Sequence, residues 1–163
     1  IAFNYGARKP QRINRTLKVS VATALVIMAL GTAVFQIVPD LLMGIFSASE
    51  EASSGQFVQI GVSALRTISL CFPLAAVGIA LGASFQALGN GIYATITSLC
   101  RQLVVLLPAA YLLSLSGQVN AVWWSFPIAE VASALVTVLL FWNIYRKKIR
   151  PLFADSQKKE IVS

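Results

Sequence analysis

The sequence predicts an all-α fold: a polytopic transmembrane helical bundle with four spans. Three observations predict it. Hydrophobic residues make up 57% of the 163 and charged residues only 12%, against roughly 25% charged in an ordinary soluble domain. The apolar residues are gathered into runs. Residues 19–38 carry no charge, none falls between Arg66 and Arg101, and only Glu130 lies between Arg101 and Arg146. A spanning helix needs about 20 predominantly apolar residues to cross a hydrocarbon core of about 30 Å, so these runs hold four. The third observation is that the charge is sorted by topology. Arg8, Lys9, Arg12, Arg15 and Lys18 precede the first run, and Arg146, Lys147, Lys148 and Arg150 follow the last. The segment 39–56 between the first two runs has Asp40, Glu50 and Glu51 but no Lys or Arg. The positive-inside rule then places both ends in the cytoplasm, and an even number of spans agrees.

Residues 1–18 read as a cytoplasmic loop and lead-in, with turn chemistry at Asn4-Tyr5-Gly6 and a short interfacial basic helix over 8–18. The bundle occupies 19–145. Its first span, about 18–38, ends at Pro39-Asp40, because a proline closes a helix at the residue before it. The apolar stretch 41–46 is too short to span and reads as an interfacial helical turn. It leads into the polar stretch 47–55, and 41–56 as a whole forms the external connection. The second helix, about 57–88, is long enough at 1.5 Å per residue to project beyond the core, which leaves Arg66 near the outer interface. Gly89-Asn90-Gly91 turns the chain back at the cytoplasmic side. The third span is about 92–115, Ser116-Gly117-Gln118 makes the next external turn, and the fourth span is about 121–145. Trp123 and Trp124 at one end of it, and Trp142 and Tyr145 at the other, fit the two aromatic belts of a bilayer. Residues 146–163 form a basic cytoplasmic tail, polar and disordered from 151.

Several classes of chemistry are excluded. The chain has no histidine, so His-based triads and His-ligated metals are absent, and no metal site is expected. No G-x-x-x-x-G-K-[ST] phosphate loop occurs. The net charge of +7 does not point to nucleic acid, because it flanks the spans instead of covering a soluble face. Cys71 and Cys100 lie inside apolar runs, where free cysteine acts as a small hydrophobe. The chain opens on Ile, not Met, with no cleavable signal peptide visible, and the reading expects sequence upstream of it.

The candidate residues are few. Glu130 sits about nine residues into the last span, roughly 13 Å deep at the helical rise. A carboxylate there is costly unless paired, protonated or facing water. At helical spacing it shares a face with Ser133 and Thr137, and the three are the candidates for a substrate or ion pathway. The alternative is a structural carboxylate bonded to a neighbouring helix or paired with Arg101 or Arg66. Arg101 and Arg66 read as structural charge anchors, Arg101 by snorkelling or by pairing. Pro73, Pro108 and Pro127 fall in three different spans and are expected to kink them, either for packing or to make bendable carrier helices. Gly78 and Gly82 form a G-x-x-x-G, read as a close-packing surface for a neighbouring helix.

These pieces together resemble the C-terminal third of a MATE-family (multidrug and toxic compound extrusion) transporter. The resemblance rests on Phe3-Asn4-Tyr5-Gly6-Ala7-Arg8, Leu65-Arg66-Thr67-Ile68-Ser69, Phe85-Gln86-Ala87-Leu88-Gly89-Asn90-Gly91, Leu99-Cys100-Arg101-Gln102 with Pro108 and Tyr111, and Val122-Trp123 with Pro127-Ile128-Ala129-Glu130. It implies that the chain holds the last four of twelve helices, part of the second lobe of a two-lobed carrier whose other helices lie upstream. The implied activity is not enzymatic. It is antiport of small amphipathic or cationic compounds in exchange for H+ or Na+ by alternating access, in the cell (inner) membrane. The implied partners are the lipid bilayer, the substrate and the N-terminal helices of the same chain, with no cofactor beyond the coupling ion. Some family members carry an acidic residue in the tenth helix, whereas the matching span here, 67–88, has none. A coupling role is therefore not transferred to Glu130. The rival readings are a complete four-span dimeric proton-coupled exporter centred on Glu130, a flippase for lipid-linked precursors in the same superfamily, and a non-transporting membrane scaffold.

Overall fold

The computed structural model describes residues 1–46 and 55–154, which are helical throughout apart from short turns. The helices are α1 (Ala2–Gly6), α2 (Pro10–Ile37), α3 (Pro39–Phe46), α4 (Gly55–Ser69) and α5 (Phe72–Ala87), then α6 (Gly91–Ser114) and α7 (Val119–Ala154). By length and composition α2, α6 and α7 can each cross a membrane, and α4 with α5 makes a fourth span if the bent pair counts as one. The part of the expected external connection at 47–54 and the end of the tail at 155–163 lie outside the described residues. The tail's first residues remain helical, through a π-helical segment at Tyr145–Ile149 and on to Ala154.

The basic lead-in is not a separate helix. Pro10, whose fixed φ suits a helix start, opens α2, and nothing between it and Val38 breaks the ladder. Arg12, Arg15 and Lys18 therefore ride on the first turns of the span itself. Pro39 ends that span and at once opens α3, so residues 41–46 continue as helix. Met43 is buried over Gly61 of α4, where a Cβ would run into its side chain. The turn expected at Asn4-Tyr5-Gly6 falls two residues later. Gly6 is helical, and Arg8 takes the left-handed conformation at φ 51°. The amides of Lys9 and Arg8 bond back to the carbonyls of Asn4 and Tyr5 at 2.9 and 3.1 Å. That is a Schellman closure made with a non-glycine residue. The same closure follows α5 with the usual residue: Gly89 has φ +73°, and the amides of Asn90 and Gly89 reach the carbonyls of Phe85 and Gln86 at 2.8 and 3.0 Å.

The three spanning prolines are accommodated in three ways. Pro73 has no N–H to offer the Ser69 carbonyl. The second helix, predicted as one rod, breaks at Leu70-Cys71, and its halves meet at a 52° bend. Freed backbone groups in a membrane need other partners, and α2 supplies them. The Thr32 hydroxyl, with one proton to share, lies 3.0 Å from the Ser69 carbonyl and 2.9 Å from the Met28 carbonyl of its own helix, and the Gln36 amide donates to the Arg66 carbonyl at 2.8 Å and to the Ser69 hydroxyl at 2.9 Å. Pro108 leaves α6 running on without a break. The helix widens into a π segment at Cys100–Leu106, where the Leu107 amide bonds five residues back to Gln102. The return to α geometry comes at Leu107, just before Pro108, the residue with no amide hydrogen to place. Pro127 falls in the first turn after a turn at Trp123-Trp124, and the Trp123 carbonyl it cannot reach accepts from the Phe126 amide at 3.3 Å.

The helices pack as one bundle, α2 along α5, α5 along α7, and α7 against the π segment of α6. Both described ends of the chain meet at one end of it. Ile13, Phe85, Leu88, Ile144 and Ile149 form the buried core, with Ile1, Tyr5, Leu152 and Phe153 packed around it. Phe85 stacks obliquely on Tyr93 and Phe141, with ring centroids 6.2 and 6.1 Å apart. Asn14 donates to the Tyr145 hydroxyl at 3.0 Å, and Lys148 donates to the Leu88 carbonyl at 2.9 Å, capping α5. The outer faces carry exposed Val26, Ile27, Leu30, Leu103, Val104, Leu135 and Leu139, a surface suited to lipid tails and not to water.

Candidate functional site

Glu130 has a partner. Arg101 Nη1 donates to Glu130 Oε2 at 3.1 Å, the only ion pair among the described residues. Of the two partners that the sequence left open, the structure selects Arg101. The reason is positional. Arg101 is the second residue of the π segment, and that segment lies along α7. Arg66 is elsewhere, exposed in the last turn of α4, where it lines a shallow groove with Asp40 and Gln59 but forms no ion pair among the described residues.

The pair is unequally covered: the Glu130 side chain is 10% exposed and that of Arg101 43%. A buried carboxylate without a cation would be expensive, and a paired one carries much of its cost in desolvation. Glu130 is packed close by design of its neighbour: opposite it stands Gly78 of α5, where an added Cβ would lie 3.6 Å from Glu130 Oε1. A methyl there would make ordinary van der Waals contact, and a side chain longer than alanine's would press on the carboxylate.

Two clefts meet at this pair. One, of about 320 Å³, is lined by Gly78, Gly82 and Gln86 of α5, Thr97, Ser98 and Arg101 of α6, and Glu130, Ser133 and Thr137 of α7. The other, of about 270 Å³, is lined by Met28 of α2, Ile68, Cys71, Phe72 and Ala75 around the break, Leu106 of α6, and Phe126 and Ala129 of α7, with Arg101 and Glu130 again at its edge. The first is rich in hydroxyls and the second is mostly apolar, with Gln102 as a further polar residue. Glu130, Ser133 and Thr137 recur at i, i+3 and i+7, one face of α7, and all three are buried. Thus the structure brings the three pathway candidates and Arg101 together and leaves Arg66 out.

Some residues of the site were not singled out in the sequence. Gly78 and Gly82, read as a packing motif, both border the first cleft; Gly78 also stands in contact range of Glu130 on α7, whereas Gly82 has no atom of another helix within 4 Å of where its Cβ would be. The buried small-residue row of α5 is Ala76, Ala80 and Ser84, two positions offset. Thr97 and Ser98 carried a signal: Thr97 and Arg101 are four apart, hence on one helix face. Thr32 and Gln36 carried the same signal inside an otherwise apolar span.

This arrangement can bind and orient a small molecule beside a neutral ion pair. No metal-ligand cluster occurs among the described residues. Similarity to known proteins agrees in kind. No curated protein sequence matches the chain. Among solved structures, the chain is similar to the inward-facing conformation of a multidrug resistance MATE family transporter of the MOP superfamily. The identity is 24%, the TM-score is 0.81, and the match covers 94% of this chain and 34% of that one. The likeness is one of fold, and the chain spans about a third of that carrier's length. The MatE family model matches residues 1–112, well over half of the chain, and with this bundle beneath it the chain belongs to the MatE family of membrane transporters.

Proposed function

We propose that the chain forms part of a secondary active antiporter that exports amphipathic or cationic compounds in exchange for H+ or Na+ by alternating access. The observation that carries this reading is the cleft lined by Gly78, Thr97, Arg101, Glu130, Ser133 and Thr137. It is a polar, ligand-sized space bounded by helices whose outer faces suit lipid. In this reading Glu130, Ser133 and Thr137 line the pathway, while Arg101 holds Glu130 and Arg66 anchors the far end of α4. Pro73, Pro108 and Pro127 set the helix shapes that bend during exchange. Further helices of the same chain complete the cavity. The protein sits in the cell (inner) membrane with both ends of this segment in the cytoplasm, as its basic flanks favour.

The test is efflux of a fluorescent lipophilic cation from proteoliposomes holding the full-length protein, driven by an imposed H+ or Na+ gradient. Gradient-dependent efflux that falls several-fold in Ser133→Leu and Thr137→Leu supports the reading. Absence of movement under either gradient, by protein shown to be folded and inserted, rejects it. Glu130→Gln is expected to lower efflux modestly and to leave ion coupling in place. Loss of coupling in folded Glu130→Gln would instead assign the coupling proton to that carboxylate.

A further inference from the structure

The face of α7 that the clefts do not use has a pattern of its own. Ile128, Val131, Leu135, Leu139, Trp142 and Arg146 follow one another at steps of three and four, which makes them one stripe along the helix. All six are exposed. At helical spacing the stripe lies almost opposite Glu130, Ser133 and Thr137. From Ile128 to Arg146 it runs about 27 Å at the helical rise, close to the hydrocarbon thickness of about 30 Å. Its apolar part ends in an aromatic and then a cation, with the Arg146 guanidinium 5.2 Å from the centre of the Trp142 ring. Arg150 stands one turn further on and is also exposed. Neither arginine has a hydrogen bond or ion pair with a described residue, whereas Lys148 between them turns to the Leu88 carbonyl. No Asp or Glu follows Glu130 in the described part of α7.

We propose that this stripe seats one anionic phospholipid, with its phosphate on Arg146 and Arg150, its glycerol region beside Trp142 and an acyl chain along Leu139, Leu135 and Val131. Charge decides the occupant. Like charges four residues apart on a helix repel, and a headgroup of net negative charge relieves that with charge-assisted hydrogen bonds. Phosphatidylcholine brings its own cation and relieves less. A second copy of the chain fits poorly. Copies in one membrane share an orientation, so a two-fold contact on this face would set Arg146 and Arg150 against themselves. The two described acids lie elsewhere, Asp40 beyond the far end of α2 and Glu130 in the cleft. The seat requires insertion in a bilayer and nothing about which compound or ion the carrier moves.

Trp142 reports on its own occupant. The full-length protein is reconstituted in phosphatidylcholine containing dibrominated phosphatidylglycerol or, in parallel, dibrominated phosphatidylcholine. The fluorescence quenching lost in Trp142→Phe is the quenching at that ring. Brominated phosphatidylglycerol is expected to bind there about five-fold more tightly than brominated phosphatidylcholine, the worth of one cation at a membrane surface. Arg146→Gln/Arg150→Gln should bring the ratio to one without lowering the thermal midpoint. Arg12→Gln/Arg15→Gln removes the same charge from the same end of the bundle and should leave the ratio unchanged, which separates a seat from general attraction to a basic surface. Equal binding of the two lipids overturns the proposal, as does a preference that survives in folded Arg146→Gln/Arg150→Gln or falls equally in both double variants. Absence of quenching at Trp142 by either lipid would mean that another helix or a second copy covers the face, and also overturns it. Sodium phosphate that abolishes the preference where sodium chloride of equal ionic strength does not would reduce the seat to a simple anion site and overturn the lipid assignment.

Discussion

The two ends of the same helices behave differently. Where α5 and α7 meet the chain ends, Phe85, Leu88, Ile144 and Ile149 interlock with Ile13, and Asn14, Tyr145 and Lys148 find partners beside them. A few turns away, the same two helices present Gly78, Gly82, Ser133 and Thr137, and the space between them stays open around an ion pair. The difference is side-chain volume. Large aromatic and branched residues close one end, while small residues and hydroxyls cannot fill the middle at the same helix spacing. In a membrane, where lipid is as apolar as the core, packing and polar contacts set helix association. The closed end therefore supplies stability and the open middle supplies room.

Breaking the closed end should have the largest effect. Phe85 is wholly buried and touches two other rings, and Phe85→Ala is expected to cost about 3–5 kcal/mol. A thermal unfolding midpoint in detergent that fails to fall would show that the aromatic cluster is not what holds this end. Next comes the open middle. Arg101→Ala strands a carboxylate that is 10% exposed. With Arg101 itself partly solvated, the loss should be about 2 kcal/mol, between an exposed and a buried pair. The double variant Arg101→Ala/Glu130→Ala should recover part of it, and simple additivity in that cycle would mean the two side chains do not interact.

A smaller loss is expected where α2 covers the break. Thr32→Val keeps the shape but removes the donor 3.0 Å from the Ser69 carbonyl, and about 1 kcal/mol should follow. A neutral result would mean that Gln36 or the lipid interface satisfies the break unaided. The smallest change is Gly82→Ala. Open space surrounds that position, and alanine favours helix over glycine by about 0.5–1 kcal/mol, so stability should hold or rise slightly. A marked destabilisation would contradict the open cleft and restore the reading of Gly78 and Gly82 as a packing motif.

Much of the site was legible in outline. Glu130, Ser133 and Thr137 share a helix face by spacing alone, and a carboxylate at that depth demands a partner whatever the fold. Which partner was not legible, because Arg66 and Arg101 are both isolated cations flanking apolar runs and linear spacing ranks neither. The prolines were visible as disturbances, but their form was not. Pro73 breaks its helix because Thr32 and Gln36 stand ready across the gap, whereas Pro108 is absorbed by a π segment within its own helix. The positive φ at Arg8 in place of Gly6 was also beyond the sequence, since it follows from where α1 stops against the core.

By itself the sequence determined that this is a membrane bundle, how many apolar runs it has and where its charges lie, because hydrocarbon thickness and the cost of buried charge act on composition and order along the chain. Only the tertiary structure decided that Arg101 and not Arg66 meets Glu130, that Gly82 borders open space while Gly78 faces Glu130, and that the second helix is two. Those outcomes depend on which faces of distant segments are brought within a few ångströms of each other, and short-range contact between residues 29 or more positions apart leaves no mark in local spacing.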